Sequence, residues 1–401
     1  MSPAVESGTD SGRIIADQIR TAAAELGFVR TGFARATPFD DARGALTSWL
    51  AQGYEGELAY MRAADDRADP GALLPGVRTI IAVALPYGGR PVALRLTRDA
   101  EPLTARIATY AVGDDYHRVL KDKLFELSRV CERIVGRPVE SRVCVDTAPL
   151  LEREAARRAG IGFTGKSTMT IAPGVGTYLL LGELLVDVDI EPSEPVRAAC
   201  GRCTACLDAC PTGAFVGPYV LDAKRCVSYL TIENKGPIPR DLRGLIGGRV
   251  FGCDECQDVC PFNASESVRP AAPELAAAPA RDDVSLVALL ELGAAGYRRL
   301  VKRSAMRRIG REQLKRNAAV ALGNSGDERA VAPLVRALAG ERSALVRLHV
   351  AWALGRFGGA DSRAALAQAC NDDADGEVRE EARRSLAQLD ARDGRDARDA
   401  G

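Results

Sequence analysis

The segment CGRCTACLDACP, residues 200–211, decides the fold class of the central part of this chain. Two residues separate Cys200 from Cys203 and Cys203 from Cys206, three residues separate Cys206 from Cys210, and Pro211 follows. This is the spacing of the bacterial ferredoxin motif, whose thiolates bind iron–sulfur clusters. The segment therefore predicts a ferredoxin-type cluster domain.

A second group of cysteines lies downstream and completes two sets of four. It comprises Cys226 and the segment CDECQDVCP, residues 253–261. Two [4Fe-4S] clusters need two such sets, and in two-cluster ferredoxins the fourth cysteine of a run binds the other cluster. The predicted ligands are Cys200, Cys203, Cys206 and Cys260 for the first cluster, and Cys210, Cys226, Cys253 and Cys256 for the second.

Structural zinc is the alternative, because CxxC pairs also bind zinc. The Cys-Pro endings, the CxxCxxC triplet and the lack of nearby histidine favour clusters. Iron and sulfide analysis decides between the two, since zinc without sulfide contradicts the cluster prediction. Cys131, Cys144 and Cys370 fall outside both sets, and we expect them to be small buried hydrophobic residues.

Length, charge and hydropathy restrict the class of protein. With 401 residues, 46% of them hydrophobic, the chain can form two or three domains. The net charge is zero, so any surface that binds nucleic acid has to be local. The N-terminal residues lack the pattern of a secretory signal, and acidic residues interrupt the apolar stretches, so we expect a cytoplasmic protein without membrane segments.

Changes in composition divide the chain into segments. Before the cysteines, helix-like segments such as YHRVLKDKLFELSRVCERIVG alternate with β-rich ones such as TIIAVALPY, which predicts an α/β domain. A Pro- and Ala-rich linker and a helical region follow the cysteines. The predicted boundaries are a disordered tail at 1–13, the α/β domain at 14–195, the cluster domain at 196–265, the linker at 266–283, helical repeats at 284–390 and a disordered tail at 391–401.

The helical region repeats itself with a period of about 32 residues. The pattern that begins at Lys315 and ends with Leu322-Gly323 recurs from Arg347 to Leu354-Gly355, and more faintly from Arg379. In helical solenoids each repeat buries its apolar face only against its neighbours. The period therefore predicts an all-α domain of HEAT-like repeats.

The segment GIGFTGKST, residues 160–168, matches the P-loop pattern GxxxxGK[ST] in the wrong structural context. A P-loop needs a strand before it and a helix after it, so that helix amides face the phosphates. Here a helix-like segment ends at Gly160 and β-rich segments follow. We predict a tight turn that uses Gly162 and Gly165, with Lys166 still able to face a ligand.

The segment VCVDTAPLLER places Asp146 directly after a short β-rich run. One interpretation is structural, with Asp146 or Thr147 as the N-cap of the next helix. The other is functional, with Asp146 as a carboxylic acid at the edge of a sheet, where ligands of α/β folds bind. A catalytic acid at that place would need a raised pKa. The spacing does not choose between the two.

A local run of basic residues begins after the linker, and Glu312 is its only acid. A charge run is usually a solvated helix face, but a run of one sign in a neutral protein favours contact with phosphates. The predicted contacts are Arg298, Arg299, Lys302, Arg303, Arg307, Arg308, Arg311, Lys315 and Arg316.

These motifs occur together in one known family. The segments YAVGDDYHRVLKDKL, VDTAPLLEREAARRAGIGFTGKSTM, CGRCTACLDACPTGAF, DAKRCVSYLTIENKGPIP, FGCDECQDVCPFN and RRIGREQLKRNAAVALGN resemble epoxyqueuosine reductases, in the same order. The resemblance runs from about residue 14 to the last repeat.

The resemblance implies a cobalamin-dependent reductase that removes the epoxide oxygen of epoxyqueuosine at the wobble position of tRNA. It implies cobalamin in the N-terminal domain and two [4Fe-4S] clusters that receive electrons from an unidentified reductant. It also implies repeats that assist tRNA binding. The general acid of the family falls on Asp146. The expected cobalamin contacts are Asp115, Tyr116, His117, Arg153, Lys166 and Ser167. Many relatives carry Asn or His where this chain has Ser167, and the DxHxxG cobalamin motif is absent.

Two other classes share parts of this pattern. A cobalamin-dependent reductive dehalogenase would not need the basic repeats and usually carries an export signal. A ferredoxin-type electron carrier with a protein-binding repeat domain would leave the large N-terminal domain without a role. Nothing in the repeats demands a dimer, and we expect a monomer.

Overall fold

The computed structural model describes residues 7–88, 103–263 and 269–399. Within these ranges the strands are β1 (Arg30–Arg35), β2 (Thr79–Pro86), β3 (Arg106–Ile107), β4 (Ser141–Cys144), β5 (Phe163–Thr164), β6 (Thr170–Ile171), β7 (Leu179–Val186), β8 (Phe215–Gly217), β9 (Val220–Leu221) and β10 (Arg249–Phe251).

The same ranges also contain the α-helices. They are α1 (Ser7–Glu25), α2 (Asp40–Ala51), α3 (Ala64–Ala68), α4 (Pro70–Leu73), α5 (Tyr116–Val135), α6 (Glu152–Arg158), α7 (Ala205–Asp208), α8 (Val227–Ile232), α9 (Arg240–Arg243), α10 (Glu255–Asp258), α11 (Pro279–Asp282), α12 (Leu286–Leu290), α13 (Ala294–Leu300), α14 (Arg311–Asn324), α15 (Val331–Gly340), α16 (Ala344–Leu354), α17 (Gly359–Asp372) and α18 (Gly376–Asp399).

The chain forms two compact units from non-contiguous segments. The first unit contains residues 1–89, 113–224 and 254–276, and the second contains 90–112, 225–253 and 277–401. The segment predicted as a separate cluster domain, 196–265, therefore contributes residues to both units.

The first unit is built on a four-stranded sheet of order β1-β2-β7-β4. All neighbouring strands are antiparallel. The mixed α/β class is confirmed, but the binding rule for the carboxyl edge of a parallel sheet does not apply to Asp146. Every residue of β2 is buried, which explains why this strand reads as a continuous apolar run.

Helices cover both faces of this sheet. On one face Leu120 and Leu124 of α5 lie against Gly182, where a Cβ atom would come within 2.9 Å of the Leu124 side chain. On the other face Ala155 and Ala156 of α6 join Cys144 in a buried core cluster. Small residues on α6 thus let its backbone lie close to the sheet.

The second unit contains the helical repeats. Helices α14, α16 and α18 pack side by side, and α15 and α17 form a second layer beside them. At Gly323 a Cβ atom would lie 2.8 Å from Ala353 Cα, and at Gly355 it would lie 2.6 Å from Ser385 Cβ. The repeated glycine therefore marks the point where successive helices of the first layer come closest.

The ends of the chain differ from the predicted tails. Helix α1 begins at Ser7, inside the predicted tail 1–13, and α18 continues to Asp399, inside the predicted tail 391–401. Residues 1–6, 400 and 401 lie outside the described ranges, as do 264–268, which span the boundary between the predicted cluster domain and the predicted linker. No helix in the described part of the chain is long and apolar enough to cross a membrane.

Candidate functional site

Three side chains of the first unit form a hydrogen-bonded row. Asp115 is the N-cap of α5, and its Oδ1 accepts a hydrogen bond from the His117 amide at 3.1 Å. The His117 ring lies between two carboxylates, with Nδ1 2.8 Å from Asp115 Oδ1 and Nε2 2.8 Å from Asp146 Oδ2. The Tyr116 ring stacks on this imidazole with centroids 4.1 Å apart.

The two carboxylates control the charge of His117. Burial by itself lowers the pKa of the imidazole, but the hydrogen bonds and charges of Asp115 and Asp146 outweigh burial and raise the pKa of His117 to about 9. At neutral pH the ring is therefore an imidazolium that donates to both carboxylates. The hydrogen bond between His117 Nε2 and Asp146 Oδ2 contains one of the two N–H protons of the ring. The Asp146 side chain is 48% exposed.

Asp146 lies in the loop between β4 and α6, in a conformation that favours glycine. Its φ is +49°, and its amide donates a short hydrogen bond to Glu152 Oε1. Helix α6 begins at Glu152 with Leu151 as its N-cap. The structural interpretation of Asp146 or Thr147 as the N-cap is therefore wrong, because several loop residues precede the helix.

One partly buried and one fully buried carboxyl group lie behind this loop. Burial, and next the charge of Asp146, raise the pKa of Glu152 above its usual range. Glu183 of β7 is fully buried opposite Ala82, and neither of its oxygens has a hydrogen-bond partner among the described residues. Burial, and next the charge of Glu152, raise the pKa of Glu183 strongly. The sequence analysis missed Glu183, although it is the one charged residue in the strand LLLGELLV.

The GKST segment forms the turn of a hairpin between β5 and β6. Thr168 donates from its amide to Gly165 O, and Gly165 donates to Met169 O. Helix α6 precedes the hairpin and strands follow it, so the rejection of a P-loop is confirmed. Arg153 of α6 donates from Nη1 to Thr168 O at 2.6 Å, which ties the hairpin to the helix that follows the Asp146 loop.

Two predicted cobalamin contacts in this hairpin have other surroundings. Lys166 donates from Nζ to Gly201 O at 2.8 Å and to Cys203 O at 2.9 Å, and its amide donates to Cys200 Sγ at 3.4 Å. Ser167 is 6% exposed. Lys166 therefore contacts the cysteine loop, and Ser167 has little surface left for a ligand.

The structure brings together the thiols predicted for the first cluster. Burial raises the pKa of Cys260, and the charges of Cys200, Cys206 and Cys203 raise it further, so all four thiols lie within electrostatic range of each other. The short helices α7 and α10, which carry Cys206 and Cys256, pack together. Cys131 and Cys144 are buried as expected, whereas Cys370 is only partly buried.

The spacing of these thiols bears on the choice of metal. Structural zinc and a four-iron cluster each take four thiolates. Among the described residues, no three Cys, His, Asp or Glu side chains form a group that could hold a single metal ion. The comparison with family models, given below, bears on this choice.

The predicted tRNA contacts in the second unit fall into two groups. The chain from 298 to 308 exposes six basic side chains, which are Arg298, Arg299, Lys302, Arg303, Arg307 and Arg308. Arg308 also forms an ion pair with Glu233 at 2.6 Å. Arg311 is partly exposed, and Lys315 forms a mostly buried ion pair with Glu341.

The prediction is wrong for Arg316, which is fully buried. Its guanidinium donates to the carbonyl oxygens of Leu230, Asn234 and Gly236, so it cannot reach a phosphate in this fold. Arg316 instead satisfies main-chain acceptors at the end of α8.

Three family models match this chain. The model described as "Epoxyqueuosine reductase QueG, DUF1730" matches residues 67–147, the "4Fe-4S double cluster binding domain" matches 199–263, and "HEAT repeats" match 303–387. The predicted iron–sulfur domain and HEAT-like repeats are thereby confirmed.

Whole-length relatives agree with these matches. The epoxyqueuosine reductase of Alicycliphilus denitrificans is 42% identical over 346 residues, which cover 83% of this chain and 95% of that protein. The epoxyqueuosine reductase of Pseudomonas aeruginosa is 41% identical over 350 residues, which cover 86% of this chain and 95% of that protein.

Solved structures are similar over nearly the whole chain. An epoxyqueuosine reductase in complex with an epoxyqueuosine-modified tRNA-Tyr stem loop has a TM-score of 0.84 at 31% identity, covering 93% of this chain and 98% of that chain. The Bacillus subtilis enzyme with its catalytic aspartate loop swung out of the active site has a TM-score of 0.82 at 31% identity, with the same coverage. This chain belongs to the epoxyqueuosine reductase family of oxidoreductases.

Proposed function

We propose that this protein reduces epoxyqueuosine to queuosine at the wobble position of tRNA, using cobalamin and two [4Fe-4S] clusters. The observation that carries the proposal is the arrangement of the first unit, in which a proton-bearing Asp146–His117 pair is linked to the cysteine loop through α6 and the hairpin. Family membership and the tRNA stem loop bound to a similar enzyme support the choice of substrate.

The cysteines supply the sites for electron transfer. The first cluster would bind to Cys200, Cys203, Cys206 and Cys260, which the first unit groups together. The second would bind to Cys210, Cys226, Cys253 and Cys256, on the evidence of their spacing and of the double-cluster family model. The Sγ of Cys210 accepts a hydrogen bond from the Ala214 amide at 3.3 Å, a contact typical of cluster ligands.

The first unit also offers groups that fit cobalamin. Asp115, Tyr116, His117 and Arg153 are the chain's own candidates for its contacts, and they lie near the partly exposed Asp146. Bound cobalamin would supply the electron-transfer chemistry at the epoxide carbon, which no side chain can perform.

The protein's own contribution is the proton for the oxygen that leaves the epoxide. The imidazolium of His117 stabilises Asp146 as a carboxylate, so Asp146 needs a source for the proton that it gives away. His117 is that source, since its Nε2 lies 2.8 Å from Asp146 Oδ2. The proton moves from Nε2 to Oδ2 and from Asp146 to the epoxide oxygen as the ring opens, which leaves a hydroxyl group. A second proton, taken from solvent, and the second of two electrons release that oxygen as water. Asp115 stabilises the imidazolium until the first transfer.

The exposed basic run of the second unit is the proposed tRNA surface. Its six side chains give a local positive charge in a protein of zero net charge. Phosphate contacts of this kind supply affinity that does not depend on sequence, and they act together with recognition of the modified base.

The Asp146→Asn variant tests the proposed role of Asp146. Asparagine has nearly the same shape but cannot carry the proton, so we expect unchanged cobalamin binding by absorbance spectroscopy and a loss of turnover of about 100-fold or more. Asp122→Asn, an exchange on the same α5 helix as His117, is the control and should keep full activity. Full activity of Asp146→Asn would falsify the assignment of the acid.

A further inference from the structure

The hairpin between β5 and β6 places Lys166 against the loop that carries the first two cysteines. The ammonium group donates to the carbonyls of Gly201 and Cys203, and the amide of the same residue donates to the sulfur of Cys200. One residue therefore contacts both the backbone of the loop and a thiol predicted to bind iron.

Other parts of the first unit fix the backbone of Lys166. Tyr219 donates from its amide to Lys166 O at 2.9 Å, and Arg153 holds the neighbouring Thr168. The adjacent Ser167 is buried, and at Gly165 a Cβ atom would come within 2.6 Å of the Ile171 side chain. Because the hairpin is held from several sides, the backbone of Lys166 is already ordered, and only its side chain loses freedom when the ammonium group binds the loop.

The contacts of Lys166 have a definite electrostatic consequence for a bound cluster. Reduction adds negative charge to the cluster, and a nearby fixed positive charge favours the reduced form. A hydrogen bond from an amide to a ligand sulfur acts in the same direction. Both effects raise the reduction potential.

We propose that Lys166 is a positioning residue for the first cluster, which holds the Cys200–Cys203 loop and raises the reduction potential of that cluster. The proposal rests on the proposed function, in which Cys200, Cys203, Cys206 and Cys260 bind this cluster. It also gives the GKST segment a role, since the accidental P-loop pattern contains a lysine that serves the cysteines and not a phosphate.

Two substitutions separate the hydrogen bonds of Lys166 from its charge. Lys166→Gln removes the charge but keeps a donor, and Lys166→Met removes both. We expect Lys166→Gln to keep the iron content of two clusters and to lower the midpoint potential of one cluster, measured by redox titration with electron paramagnetic resonance. Lys166→Arg keeps the charge, so the midpoint potential of its cluster should lie closer to the wild-type value than that of Lys166→Gln.

Lys121→Met is the matched control, because it removes a lysine of the same unit on α5, across the sheet from α6. It should leave both potentials unchanged. Loss of iron from Lys166→Met but not from Lys166→Gln would support the role of Lys166 in holding the loop. In that case the midpoint potential of Lys166→Gln is the one compared with the wild type. Unchanged potentials in a fully loaded Lys166→Gln, or loss of iron from Lys166→Arg, would overturn the proposal. A failure of the proposed function would appear earlier, as wild-type protein that binds no clusters.

Discussion

At the scale of single residues, His117 makes the stability of the fold depend on pH, because two carboxylates hydrogen-bond to its imidazole. The pKa of His117 in the folded protein, about 9, lies above its ordinary value of 6.5, so protonation favours the folded state. This contribution to stability is complete below about pH 6.5 and is lost as the pH rises through about 9. The proposed proton donor is therefore charged throughout the neutral range.

The titration of His117 can be measured directly, because the chain has only two histidines. We expect one imidazole signal in an NMR pH titration to change near pH 9, and expect Asp146→Asn to move this midpoint to a lower pH. His349 is the internal control, since burial lowers its pKa well below the usual range and it should not titrate with His117. A His117 midpoint near 6.5 in the wild type would contradict the row of hydrogen bonds.

The buried carboxyl group of Glu183 lowers the free energy of unfolding of this protein. A carboxyl group without hydrogen-bond partners keeps its proton, and the stability of the fold decreases as the pH rises above the ordinary pKa of glutamic acid. We expect Glu183→Met to raise the free energy of unfolding by about 1–3 kcal/mol near pH 8 and by less near pH 5. Glu183→Gln keeps the unpaired polar atoms but cannot ionise, so it should share the part of the gain that appears only near pH 8 and show no gain near pH 5. Equal unfolding temperatures for Glu183→Met and wild type at both pH values would contradict this account.

At the residue scale, the sequence predicts which residues belong to the candidate site but not which of them contact each other. Asp115, His117 and Asp146 were all predicted as site residues, yet the hydrogen bond between His117 and Asp146 joins positions 29 apart in the chain. No local pattern encodes such a pair. Arg316 was placed on the wrong surface because its helix is buried on nearly all sides, so the sequence has no apolar stripe to reveal the inner face.

At the scale of elements, strands β2 and β7 were predictable because each is a mainly apolar run, and β4 because it lies in a short β-rich segment. Their antiparallel order was not, since strand order depends on pairings between distant segments. The repeated Leu-Gly pair predicted the packing of the repeats better. Its glycine recurs at the positions where neighbouring repeats come into contact.

The close packing at Gly323 leads to an element-scale prediction. Gly323→Ala would place a methyl group within 2.8 Å of Ala353 Cα, so we expect it to lower the free energy of unfolding by about 1–3 kcal/mol. Gly340→Ala, at the end of α15, meets no atom within 4 Å and should be neutral or slightly stabilising. Thermal unfolding of both variants makes the comparison. A Gly323→Ala variant as stable as Gly340→Ala would contradict the close approach of α14 and α16.

For the whole molecule, the distribution of charge matters more than its sum. The net charge is zero, but the exposed basic run concentrates positive charge on the second unit. An electrostatic contribution to tRNA binding should therefore be strong, local and sensitive to salt.

The salt dependence of tRNA affinity tests this surface. If Arg298 and Arg299 each contact a phosphate, the Arg298→Gln/Arg299→Gln variant should reduce the slope of log affinity against log salt by about 2. Arg383→Gln/Arg384→Gln is the control, because these exposed arginines on α18 pair with Glu380. Equal slopes for the two double variants would argue against the basic run as the tRNA surface.

The central claim is that this chain uses cobalamin and its clusters to reduce epoxyqueuosine in tRNA. The most direct measurement incubates the anaerobically reconstituted protein with cobalamin, a chemical reductant and tRNA that contains epoxyqueuosine, and then analyses the tRNA nucleosides by mass spectrometry. We predict that queuosine appears and that omission of cobalamin abolishes it. Epoxyqueuosine left unchanged, with both clusters and cobalamin verified as bound, would contradict the claim.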